Sequence, residues 1–222
     1  MKPLNTKPIL VLTAVLLGMF AVGAQAEQKP PAVDKDGLHL VPDAKAGTVY
    51  MRPEVDLSQF DKVILVEPYV AFRKNWKRDQ NEADPFKVSS GQVEKIKQRV
   101  GDEFVKVFAE ELEKQGHPVV DKSKTGPGVL IVRPAIVNLD VEAPDTRRGR
   151  STSVSASAVA MTLYAELYDS VSNQIIGRVV DPQVDRTAQF MVKTEGTNKL
   201  AEDRIVKGWA DALAKQLHDT VE

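Results

Sequence analysis

Between residues 157 and 180 apolar and polar side chains alternate at a period of two. Val159, Met161, Leu163, Ala165 and Leu167 fall on one side; Thr162, Tyr164, Glu166 and Tyr168 fall on the other. Successive side chains of a strand point to opposite faces, so this pattern predicts a strand with one buried face. A polar turn over Asp169–Asn173 and a second apolar, β-branched run, Gln174–Val180, complete an antiparallel hairpin. The hairpin is expected in the middle of a sheet, with helices from before and after it covering one face.

Other periods place the remaining elements. Thr48–Arg52 reads as a short extended piece ended by Pro53. Lys62–Glu67 is apolar on both faces, which predicts a fully buried strand near the sheet centre. Pro68 ends it or puts it at an edge, and Tyr69–Phe72 can continue it. Arg73–Lys87 has no period and reads as a surface loop. Ser89 and Gln92 have the spacing of a capping box. Val93, Ile96, Val100, Phe104, Val107, Phe108 and Leu112 then recur at three and four residues, and Gly116 and Pro118 stop the pattern, predicting a helix over Ser90–Gln115. Pro118–Asp121 reads as a short strand. Val129–Val141 reads as a long one, broken or bulged at Arg133–Pro134. Asp181–Pro182 is expected to end the hairpin and Arg186–Val192 to add an edge strand. From Thr197 a last helix carries Leu200, Val206, Trp209, Leu213, Leu217 and Val221 on one stripe. The expected fold class is α+β: a two-layer sandwich with a mixed, largely antiparallel sheet of about five strands and two long helices on one face. A single domain is expected over residues 48–222.

The residues before that domain alter where the protein is expected to work. Lys2 and Lys7 precede an apolar run, Ile9–Val22, that is short for a membrane span, and Ala24-Gln25-Ala26 has the small-x-small form accepted by signal peptidase. Residues 1–26 therefore read as a cleaved signal peptide and residues 27–47 as a flexible linker, giving an expected periplasmic location. The 222 residues contain no cysteine, which excludes disulfides, thiolate metal sites and a lipidated cysteine. The mature chain keeps 28 of the 30 basic residues and all 31 acidic ones, so no bulk attraction to nucleic acid follows.

Val49-Tyr50-Met51-Arg52-Pro53 followed by Asp61-Lys62-Val63-Ile64-Leu65-Val66-Glu67-Pro68 resembles the opening of an uncharacterised bacterial family of exported proteins and lipoproteins, domain of unknown function 3313. Gly128-Val129-Leu130 and Leu167-Tyr168-Asp169 fit the same resemblance, which covers roughly residues 47–221. These motifs are structural and imply no catalytic residues. The order of elements is also similar, more weakly, to the amino-terminal domain of the Tol translocation protein. A comparable likeness extends to lipoproteins that activate cell-wall synthases. Those are interaction modules, and fold likeness does not transfer function.

No nucleophile motif or phosphate loop appears, so no catalytic residue and no cofactor is expected. His39, His117 and His218 have no partner at ligand spacing, so no metal is expected, and His117 reads as a helix-end cation. Asp140, Glu142, Asp145, Asp181 and Asp185 cluster after strands, which leaves a hydrolytic carboxylate pair as the least favoured alternative. One constellation suggests binding. Arg73, Lys74, Trp76, Lys77 and Arg78 share one loop, and Arg147, Arg148 and Arg150 share another. Guanidinium forks suit phosphates and carboxylates, and an exposed indole suits flat surfaces; the plainer alternative is ordinary solvated loops with Trp76 folded back on the sheet. Two readings stay open. One is a non-enzymatic envelope interaction or accessory protein with a protein partner; the other is a binding protein for an anionic lipid head group or cell-wall polymer. An exposed apolar sheet face would favour the first, and an arginine- and aromatic-lined concavity the second.

Overall fold

The computed structural model describes residues 29–83, 87–141, 159–188 and 195–218. The expected signal peptide lies outside them. The described residues form seven strands: β1 (His39–Leu40), β2 (Thr48–Met51), β3 (Lys62–Leu65), β4 (Tyr69–Phe72), β5 (Val129–Asp140), β6 (Val159–Asp169) and β7 (Ile175–Asp185). Three α-helices accompany them: α1 (Trp76–Ala83), α2 (Ser90–Lys114) and α3 (Glu195–His218). One sheet results, in the order β1-β2-β7-β6-β5-β3, with β4 also paired to β5. The α+β class expected from the periods is the class observed, with seven strands in place of about five.

The β6–β7 hairpin occupies the centre, as its alternation predicts. Met161, Leu163, Ala165 and Leu167 are buried, while Tyr164, Glu166 and Tyr168 on the other face are half-buried. The α2 stripe from Ile96 to Leu112 and the α3 residues Ala201, Ile205, Val206, Trp209, Ala210, Ala214 and Leu217 join the buried face in one core. Leu200 falls outside that stripe and is exposed. The capping box forms: Ser89 Oγ accepts from Gln92 N–H at 3.2 Å, and Gln92 Oε1 accepts from Ser89 N–H at 2.8 Å. Gly116, at φ 88°, turns the chain out of α2.

Several elements differ from expectation, each for a local reason. β3 is buried on both faces yet ends the sheet order. Its outer side is covered by the Pro118–Val120 segment, which makes only a bridge, with Val120 N–H donating to Val63 and Val63 N–H to Pro118. Pro134 sits within a continuous β5. The irregularity lies between Val137 and Asp140, where Asn138 adopts φ 52°. Pro182 does not end β7, because it lies beyond Val180, the last residue that β2 pairs, and its missing N–H interrupts no second ladder. Where an edge strand over Arg186–Val192 was expected, β7 is followed by a short 3-10 turn, Arg186–Ala188; residues 189–192 lie outside the described residues. The stretch expected as a loop after Arg73 contains α1.

Residues 29–47, expected as a flexible linker, lie against the domain. Leu38 is fully buried, Leu40 N–H donates to Ala32, and the Tyr50 hydroxyl donates to the Pro31 carbonyl at 3.0 Å. The Asp34 carboxylate accepts from the N–H groups of Asp36 and Leu38, which folds the segment into a turn that composition alone does not reveal.

Candidate functional site

Where β4 and β5 finish together is decided by strand direction. β3 and β4 both pair parallel to β5, with Tyr69 opposite Ala135 and Phe72 opposite Leu139. Parallel partners end at the same side of a sheet, and a long connection must join them; α2 lies in that connection. Residues following Phe72 and residues following Asp140 therefore leave the sheet at one end.

At that end Arg73 donates from Nε to Asp140 at 2.7 Å and from a terminal nitrogen to Asp79 at 2.5 Å. The pull of Asp79 and then Asp140 raises the guanidinium pKa further. Arg73 and Arg78 in turn hold the Asp79 carboxyl below its ordinary range. Asn75, at φ 66°, turns the chain into α1. Trp76 is buried: its ring stacks on Phe72 with centroids 3.9 Å apart, and its Nε1–H donates to the Val141 carbonyl at 2.8 Å. Its expected role as an exposed aromatic is thus corrected; it clamps the end of β5 to the start of α1. Lys77 donates to Ser90 Oγ at 2.9 Å, Arg78 pairs with Asp79 at 3.0 Å, and Lys74 is exposed. A shallow cavity of about 330 Å³ lies here, lined by Phe72, Arg73, Trp76, Arg78, Val93 and Lys97 among others. Arg147, Arg148 and Arg150 lie outside the described residues.

The sheet face away from α2 and α3 is neither bare nor apolar. Glu166 accepts from the Tyr164 hydroxyl at 2.9 Å, the Tyr168 hydroxyl at 2.7 Å and Arg178 at 3.0 Å. Arg133 lies over the Tyr168 ring, 4.6 Å from its centroid. Arg178 also binds Asp34 and Asp36, which pins the 29–47 segment to β7. Burial pushes the Glu166 carboxyl up, but the donors Tyr168, Arg178 and Tyr164 outweigh it and hold the pKa low.

The carboxylates proposed from sequence as a hydrolytic pair have partners. Asp140 binds Arg73. Asp181 accepts from the buried Trp209 Nε1–H at 2.8 Å and from Gln183. Asp185 binds Arg204 at 2.6 Å. Glu142 and Asp145 lie outside the described residues. Sequence spacing missed one pairing altogether: His117 and His218, 101 residues apart, bring their Nε2 atoms to 3.2 Å. Burial, then the His218 charge, lowers the His117 pKa, which disfavours the helix-end cation expected from sequence.

The fold and these surfaces define an α+β domain with a polar, arginine- and tyrosine-bearing sheet. Residues 32–213 match the family described as "Protein of unknown function (DUF3313)", and the chain belongs to that family. No curated protein is matched. Solved structures that are distantly similar include the two that follow. The PelC dodecamer from Paraburkholderia phytofirmans shares 11% identity at a TM-score of 0.41, over 75% of this chain and 98% of that one. A putative neuraminyllactose-binding hemagglutinin homolog from Helicobacter pylori shares 15% at 0.32, over 70% and 87%. The weaker likeness to the Tol domain and the synthase activators is unconfirmed by these matches.

Proposed function

We propose that the chain is an exported protein of the cell envelope that acts by binding. Its ligand is an anionic group, phosphate or carboxylate, of an envelope lipid or cell-wall polymer, held at the end of the sheet where β4 and β5 finish. The parallel pairing of β4 with β5 carries this reading. Lys74, Lys77 and Arg78 follow β4, the segment bearing Arg147, Arg148 and Arg150 follows β5, and charges departing from one end of a sheet add their fields. Arg73 is braced by two carboxylates, so it contributes shape more than free charge. An apolar protein partner is favoured less, because the sheet face away from the helices carries Tyr164, Tyr168, Glu166, Arg133 and Arg178 and is partly covered by the 29–47 segment. Export rests on Lys2, Lys7, the apolar run and Ala24-Gln25-Ala26, with cleavage before Glu27.

Co-sedimentation with anionic vesicles or isolated cell wall tests the proposal. Wild type is expected to be retained at low salt and released as salt rises, since exposed charges are screened over about 8 Å at physiological ionic strength. The variant carrying Arg147→Ser, Arg148→Ser and Arg150→Ser is expected to be retained less. Equal retention of the two proteins overturns the ligand-binding reading.

A further inference from the structure

The helix-facing side of β7 changes character half-way along. Val179 stands opposite Ala165 and packs on the core. The next residues on that side are Asp181, Gln183 and Asp185, opposite Leu163, Met161 and Val159, which are buried core positions of β6. Polar side chains thus continue a face where the period-two pattern calls for apolar ones. Asp181 and Asp185 are both buried, and a buried charge costs free energy unless an opposite charge offsets it. Asp185 is offset: Arg204 donates to it from Nε at 2.6 Å. Asp181, only 4% exposed, is not. It accepts from Trp209 Nε1–H at 2.8 Å and from the Gln183 amide at 3.0 and 3.1 Å. Both donors are neutral, and no cation pairs with Asp181 among the described residues.

Beside that carboxylate a cavity of about 470 Å³ lies between β7 and α3. Packing stops there on both sides. β2 ends opposite Val180, so β2 covers nothing of β7 beyond it. The chain before β2 turns at Gly47, φ 45°, where a Cβ would run into the Val180 carbonyl oxygen. On the other side α3 presents Gly208 and Ala212, and a Cβ on Gly208 would meet no atom within 4 Å. Ala46, Val184, Ile205 and Trp209 complete the apolar wall. Lys45 and Arg186 line the same cavity; both are exposed, and neither pairs with a carboxylate among the described residues.

We propose that this cavity binds a small zwitterion: a molecule with an ammonium group at one end, an anionic group at the other and a short apolar body between them. The ammonium pairs with Asp181, the body lies against Ile205, Gly208 and Trp209, and the anionic group faces Lys45 and Arg186. Charge decides among the ligand classes. An anion alone would bring a second negative charge to Asp181. A cation alone would offset Asp181 but leave Lys45 and Arg186 unanswered. A zwitterion meets all three. The ammonium is the larger determinant, because a pair formed away from water is stronger than one that water screens. The volume falls in the range of small-molecule sites, roughly 300–1,000 Å³. The basic segments after β4 and β5 take no part, so this site does not rest on the anionic-ligand reading.

The test titrates three probes of one shape into the full chain: 4-(aminomethyl)benzoate, which carries both charges, benzylamine, which carries the ammonium alone, and 4-methylbenzoate, which carries the carboxylate alone. The readout is the indole N–H resonance of Trp209, the group that donates to Asp181. The chain has two tryptophans, and Trp76→Phe assigns the signals. In wild type the Trp209 signal is expected to shift saturably with 4-(aminomethyl)benzoate, to need more benzylamine, and to stay in place with 4-methylbenzoate. Asp181→Asn keeps an acceptor for the indole and is expected to bind the zwitterion at least tenfold more weakly. Gly208→Met fills the cavity; it is expected to melt no lower than wild type, since glycine inside a helix is unfavourable, and to lose the response. Lys45→Ser with Arg186→Ser is expected to bind the zwitterion no better than benzylamine. Absence of a saturable shift in wild type, 4-methylbenzoate binding as tightly as the zwitterion, or an unchanged affinity in Gly208→Met overturns the proposal.

Discussion

Trp76 does at residue scale what no neighbour can. It closes the core beside Phe72 and fixes the Val141 carbonyl, so it holds the exits of β4 and β5 together. Trp76→Ala is expected to cost about 3–5 kcal/mol, the range for large aromatic deletions in a core. Trp76→Phe keeps most of the packing but leaves the Val141 carbonyl without its donor, an expected loss of about 1–3 kcal/mol. Urea melts check the order wild type, Phe, Ala; a Phe variant as stable as wild type contradicts the role given to the indole N–H. The chain leaves Trp76 open between an exposed binding ring and one folded back on the sheet, and the structure takes the second. Trp76 sits among Arg73, Lys74, Lys77 and Arg78, and local composition reads such a stretch as solvated surface. His117 and His218 were illegible for a related reason: their meeting depends on where two helices end, not on spacing along the chain.

At the scale of elements, whatever depends on local period was legible. The β6–β7 hairpin, the buried face of β6 and the capped start of α2 follow from alternation, the three-and-four stripe and Ser89-x-x-Gln92. The 29–47 segment has no period, and it is held by ion pairs with residues more than a hundred positions away. Arg178 is the centre of that attachment. Burial works against its charge, but Asp36, Glu166 and Asp34 outweigh this and raise its pKa. Burial also pushes the Asp34 carboxyl up, but the Leu38 and Asp36 N–H groups and Arg178 outweigh it and hold the pKa low. Carboxyls lowered in the folded state stabilise it fully above their unfolded pKa, near 4, and lose that contribution as pH falls through the folded values. Arg178→Met strands these carboxylates and is expected to cost roughly 3–5 kcal/mol at pH 7. The gap between variant and wild type is expected to narrow at pH 3, where the stranded carboxyls take up protons. Denaturation midpoints at the two pH values measure this; a gap of constant size would show that the ion cluster does not hold the segment.

For the whole molecule, the class and the central hairpin were readable, but the direction of β4 against β5 was not. An apolar run has no arrow for its partner, and both directions were compatible with the sequence. The structure supplies the direction: β4 and β5 run parallel and finish at one end of the sheet. The claim that the two basic segments form one site is tested most directly by vesicle binding of four proteins across a salt series. They are wild type, Lys74→Ser with Lys77→Ser, the triple Arg147, Arg148 and Arg150 to Ser variant, and the combination. The account predicts that each partial variant binds more weakly than wild type with a shallower salt dependence, and that the combination binds least. Full retention by either partial variant at every salt concentration would contradict it.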